Sequence, residues 1–221
     1  MRVIRLLFFI TLVCSCSKQQ ARTDSAFVSH TESELPASVV SALSQKLSAW
    51  NRWLAADTSA DFRWEKYILQ SSLHFYNQRP FQNSDSQYSV YDPYLLYNAD
   101  SSYALNIYAT MWFERKNGKV HYIGSGDPEP SIVLLNRKKQ YIELFTGGTP
   151  THFMDGLWLD SATVAVVGYD FEYETKYNHP FVYLFNLSDS TIKCFSSSDS
   201  TLHALYKYTA TEKMKEIVFD E

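Results

Sequence analysis

The chain has 221 residues, enough for one sizeable core without requiring two domains. Its 20 Lys and Arg against 24 Asp and Glu leave a net charge of −4, which argues against a nucleic-acid binder held by phosphate contacts. A hydrophobic share of 45% excludes global disorder, and 16% aromatics lean toward β structure.

The first residues carry a targeting pattern. Arg2 and Arg5 precede a short apolar run at 6–13, LLFFITLV. At about 1.5 Å per residue this run is far shorter than a bilayer core of about 30 Å, so it reads as a secretory signal peptide and not as a membrane span. It leads into Val13-Cys14-Ser15-Cys16. A small residue before a cysteine, with an aliphatic residue three positions upstream, resembles the bacterial lipoprotein signal. Cys16 fits with Ser15 and Val13; Cys14 fits less well, because Val13 precedes it and Thr11 stands at the aliphatic position. The resemblance implies removal of residues 1–15 and a lipidated Cys16 as the new N-terminus. It implies attachment to the cell membrane or outer membrane, with an extracytoplasmic domain, because acyl chains hold through buried CH₂ groups. The other reading is an ordinary cleaved signal peptide. With Cys16 acylated, Cys194 has no partner in the chain for a disulfide.

Residues 16–35 are polar, rich in Ser and Thr and without sustained period, so they read as a lipidated flexible tether. A single globular domain is expected over 36–221, divided into a helical cap at 36–88 and a β repeat at 89–221. Pro36 suits a first helical turn. Val39, Val40, Leu43, Leu47, Trp50 and Leu54 recur at helical spacing and predict one helix over 37–56. Residues 60–80 fit a second helix around Trp64 and Ile68 or two short strands equally well, and 77–88 reads as a loop.

The second half contains a repeat. Residues 132–145, IVLLNRKKQYIELF, align with 182–195, VYLFNLSDSTIKCF. Upstream, 97–108 aligns with 157–169, each a strand, an Asp-Ser turn at Asp100-Ser101 or Asp160-Ser161, and a longer apolar strand. Each unit is therefore a four-stranded meander, at about 90–146 and 154–197. The first unit carries an insertion with Asn117-Gly118, a dipeptide suited to a two-residue hairpin turn, with its second strand running on to Arg115. The second has alternating Tyr169-Asp170-Phe171-Glu172-Tyr173-Glu174, read as a half-buried strand. Such a meander resembles a β-propeller blade, although two units fall short of a closed propeller. The expected fold is mainly β with an N-terminal helix: two antiparallel four-stranded blade-like meanders packed together, as an incomplete propeller or a sandwich. The C-terminal EIVFD at 216–220 fits a final edge strand or part of a short helix.

Motifs for chemistry are sparse. The six histidines, His30, His74, His121, His152, His179 and His203, make no metal-ligand spacing, and no cofactor is expected. Cys194 aligns with Leu144 of the first unit, so it reads as a buried thiol. Residues 124–130, GSGDPEP, lack the third glycine and following helix of a phosphate loop; Asp127 there is a candidate binding residue in an exposed connection. His152 and Asp155 follow the turn at Gly147-Gly148 and form a candidate polar pair. Tyr91 and Tyr94 flank Asp92-Pro93 and are candidates for stacking on a sugar, against the plainer reading of core packing. Asp-Ser/Thr-small triplets such as those at Asp160 and Asp189 resemble an O-glycosylation signature of some envelope bacteria, and also form turns readily. The expected function is a membrane-anchored envelope lipoprotein binding a protein or a glycan, with no nucleic acid as partner. The competing expectation is an extracytoplasmic hydrolase drawing on Asp127, Asp155, Asp170 and Glu172.

Overall fold

The apolar stripe after Pro36 folds as two helices, α1 (Ala37–Lys46) and α2 (Ser48–Ala56), in the computed structural model. The structure describes residues 29–30, 34–56, 64–68, 76–80, 88–125, 129–136, 140–197, 199–200 and 213–219. The single expected helix breaks at Leu47, whose backbone leaves the helical region (φ −107°, ψ 59°). The Asn51 side-chain amide lies across the break and donates to the carbonyls of Leu43, Ser44 and Leu47 at 2.9–3.1 Å, satisfying acceptors near the end of α1. Pro36 accepts from the N–H groups of Val39 and Val40. The buried stripe is Leu35, Val39, Leu43, Leu47, Trp50 and Trp53; Val40, expected within it, faces solvent. The break at Leu47 shifts the phase of α2, which buries Trp53 where the expected stripe had Leu54.

Both meanders of the repeat are present. The second comprises β10 (Thr151–Trp158), β11 (Thr163–Phe171), β12 (Asn178–Asn186) and β13 (Thr191–Ser197), consecutive and antiparallel. The first comprises β4 (Leu96–Tyr97), β5 (Tyr103–Asn106), β8 (Ser131–Asn136) and β9 (Gln140–Thr146) in the same order. The turns between the first two strands share one defining bond. The Asp100 carboxylate accepts from the Ser102 N–H at 2.9 Å, and Asp160 accepts from the Ala162 N–H at 2.8 Å. These are Asx turns, in which the aspartate satisfies a backbone donor that the reversal would leave open. The triplet at Asp160 thus has a structural reason to be there, as does that at Asp189, which accepts from the Thr191 N–H.

Each meander recruits outside strands. The second is extended by β2 (Trp64–Ile68) against β13 and by β1 (Ser29–His30) against β2, making six strands in the order β1-β2-β13-β12-β11-β10. The first gains β3 (Tyr76–Pro80) beside β9 and becomes five-stranded. Residues 60–80 therefore resolve in favour of strands at 64–68, and the expected loop at 77–88 contains most of β3. The polar stretch at 16–35 is no featureless tether at Ser29 and His30, where the open edge of β2 takes up extended backbone.

The insertion of the first unit departs from expectation. The second strand of that unit ends at Asn106, whose side chain accepts from the Tyr108 N–H at 2.9 Å and turns the chain out of the ladder. A separate hairpin follows, β6 (Met111–Lys116) and β7 (Lys119–Ser125), closed by Asn117 and Gly118 at φ 52° and 77°. The C-terminal stretch is the strand form: β14 (Ile217–Phe219) pairs parallel with β7.

The molecule is layered, and its sheets do not close into a barrel. The six-stranded sheet faces the five-stranded sheet across a core that includes Leu105, Ile132, Leu134, Val164, Val166, Phe181, Phe185 and Met214. Its other face carries Ala165, Val167, Val182 and Phe195 against α1 and α2. The central strands β11 and β12 are buried on both faces, which explains near-continuous apolar runs such as TVAVV at 163–167. Among the described residues no helix is long and apolar enough to cross a membrane.

Candidate functional site

The densest meeting of titratable and aromatic side chains lies at one end of the six-stranded sheet, where β10, β11 and β12 run side by side. Register sets two rows. Thr151, Asp170 and His179 stand opposite one another, as do His152, Tyr169 and Pro180. Strand alternation puts the first row on the face of the inter-sheet core and the second on the face of the helices. The His152 ring stacks on Tyr169 at 4.7 Å with planes 20° apart, and Tyr169 in turn lies 6.2 Å from Trp53 of α2.

Burial dominates the electrostatics. The Tyr169 hydroxyl is pushed up to about 12 by desolvation. Packing against its neighbours lowers the His152 pKa, and the nearby Asp170 charge opposes this. Asp170 is raised, chiefly by burial; the hydrogen bond from the Thr151 hydroxyl at 2.7 Å and the two flanking histidines partly offset the rise. Glu172, beyond the end of β11, is lowered by the Thr175 hydroxyl at 2.5 Å and then by His179 at 3.4 Å. The connection from 172 to 177 also exposes Tyr173 and Tyr177, while Lys176 sits 5.7 Å over the Phe171 ring. The expected strand at 169–174 therefore stops at Phe171 and gives way to a turn.

The sequence-derived candidates separate. His152 belongs to this site. Asp155 lies farther along β10, after a bulge between Phe153 and Asp155, and does different work. Its carboxylate is only 3% exposed, accepts from the Gly156 N–H at 2.8 Å and pairs with Lys213 at 2.9 Å. Tyr91 is buried: its hydroxyl donates to the Met111 carbonyl and its ring meets Phe113 edge-on at 5.5 Å. Tyr94 is half-buried against the same core, with its hydroxyl pKa raised by burial and by Glu216. Both tyrosines thus take the core-packing reading. Cys16 and Asp127 lie outside the described residues. Cys194 is buried, opposite Tyr183 in the ladder, and burial pushes its thiol up to about 12. Among the described residues, no three His, Cys, Asp or Glu side chains are grouped to hold a metal ion.

Sequence reading missed His179 and the Tyr169 stack. The signal for both was present, since alternation across 169–174 fixes which residues share a face; the missing knowledge was which residues of β10 and β12 stand opposite. Comparison with known proteins adds no assignment: no protein family, curated protein or solved structure matches the chain.

Proposed function

We propose that the chain is a lipid-anchored envelope protein whose β domain is a recognition module, with the β10–β12 end as its binding surface. The anchoring part is supported by the signal-like run and by Ser15-Cys16 after Val13. The recognition part is supported by one observation: the charged groups at this end are engaged with fixed neighbours, while Tyr173 and Tyr177 are presented to solvent beside them. Fixed polar groups flanked by exposed tyrosines suit contact with a protein or a glycan, because tyrosine offers a flat apolar face and a polar tip at small entropic cost. The hydrolase reading fares worse. Glycoside cleavage needs two carboxyls set across a scissile bond, and Asp155, one of the four acids considered, is committed to Lys213 away from Asp170 and Glu172.

Two measurements test the proposal. After a 0.5 M salt wash, Cys16→Ala should be released from the membrane while the parent stays bound; equal retention of both would refute the anchor. Co-purification and a glycan array with the full chain should yield a ligand that Tyr173→Ser/Tyr177→Ser loses. Equal capture by that variant would remove the β10–β12 end from the binding surface.

A further inference from the structure

The β6–β7 hairpin has two differently treated faces. Phe113 and Tyr122 stand opposite in the ladder and point inward, packing with Tyr91 and Phe219 onto the main core. Trp112 and Ile123, by contrast, are both 54% exposed. A bulge between Trp112 and Phe113 in the pairing with β7 leaves Ile123 as the extra residue there, so it appears at the surface beside the Trp112–Gly124 pair. Glu114, two residues along from Trp112, faces His121 across the ladder.

The tip adds charge. Arg115, Lys116 and Lys119 are exposed around the Asn117-Gly118 turn, with no acid between 115 and 119. Lys116 and Lys119 stand directly opposite in register. A like-charged pair placed so works against hairpin formation, so folding alone does not account for it, whereas an anionic surface would neutralise it. The hairpin has no counterpart in the second meander, where only the connection at 172–177 joins β11 to β12. The protein thus carries a basic projection although its net charge is −4.

We propose that this hairpin docks the domain on an anionic lipid surface. Trp112 and Ile123 enter the interfacial region, and Lys116 and Lys119, which share the outer face with Trp112, meet the headgroups. A tryptophan beside an aliphatic residue suits the boundary between headgroups and acyl chains, and each basic residue near such a surface adds attraction that salt screens. The proposal concerns how the domain lies on a membrane and stands whether or not Cys16 is acylated.

The test is quenching of tryptophan fluorescence by brominated lipids, with the full-length chain added to vesicles of brominated phosphatidylglycerol or of brominated phosphatidylcholine. Attachment through the N-terminal residues, which include Arg2, Arg5, Lys18 and Arg22, also favours the anionic lipid, so the hairpin is reported by variants that leave those residues unchanged. Quenching is expected with phosphatidylglycerol, weak with phosphatidylcholine, and largely lost in 0.5 M salt or in Trp112→Phe. Lys116→Glu/Lys119→Glu, at exposed positions that leave the fold intact, should lower it by roughly half or more. Trp112→Phe quenched as strongly as the parent overturns the proposal, as do equal signals from the two lipids. Absence of quenching from both also overturns it and leaves the face to a protein partner.

Discussion

Three titratable side chains, Cys194 in the core and Asp170 and His152 at one end of the sheet, show what single residues contribute. Cys194 lies in the inter-sheet core, its pKa raised by burial and only partly lowered by its hydrogen bond with Tyr183. It should react with an aromatic disulfide reagent at pH 8 orders of magnitude more slowly in the native protein than in urea; fast native reaction would refute its enclosure. Asp170 and His152 make a paired prediction of opposite sign. The Asp170 pKa is raised above 3.8 in the fold, so its contribution is favourable at low pH and is lost as pH rises through its folded value. Asp170→Asn keeps an acceptor for the Thr151 hydroxyl and should stabilise the protein at pH 7 by roughly 0.5–1 kcal/mol. His152 is lowered below 6.5, so its contribution is present above that pH and is lost as pH falls through the folded value. His152→Phe retains a ring on Tyr169 and should flatten the decline in stability below pH 6.5. Urea midpoints measured against pH decide both, and an unchanged profile in either variant refutes the corresponding sign.

A buried polar link between elements carries weight. The Asp155–Lys213 pair joins β10 to the segment leading into β14, whose Met214 and Ile217 complete the inter-sheet core. Lys213→Met would leave the Asp155 carboxylate buried without that cation. Because Lys213 is itself 36% exposed, solvent softens the penalty, and the expected loss is about 2–3 kcal/mol. Adding Asp155→Asn should restore part of it, and a double-mutant cycle with no coupling would dismiss the pair. At this scale the sequence is informative where pattern is local. The two meanders were legible, because Asp100 and Asp160 sit at the same place in similar segments and make the same turn. The break at Leu47 was not, since Leu47 keeps helical spacing and the cause is Asn51 reaching back to three carbonyls. Strands β2 and β3 were illegible for another reason: short runs such as WEKYI are compatible with helix or strand, and long-range pairing with β13 and β9 decides between them. The candidate pair His152 and Asp155 failed at the bulge after Phe153, which a period-two reading passes over.

For the whole molecule, the decisive fact is that β11 and β12 belong to both hydrophobic layers. Val164 and Val166 face the other sheet, while Ala165 and Val167 face the helices. The helix layer is therefore no detachable cap: its removal would expose one face of the strands that organise the core between the sheets. Trp50 is the test position, because it is 1% exposed in α2, meets the tilted Trp53 ring at 4.9 Å and packs in the layer that includes Val167 and Val182. Trp50→Ala should cost about 3–5 kcal/mol through lost burial and the cavity left behind. It should do so within one cooperative transition, because the sheet cannot lose one layer and retain the other at full strength. Far-ultraviolet circular dichroism and tryptophan fluorescence, followed through urea unfolding of the variant, should then give coincident curves shifted to a lower midpoint. Two separated transitions, with helical signal lost first and the tyrosine-rich core intact, would instead show that the helices are an independently folding layer.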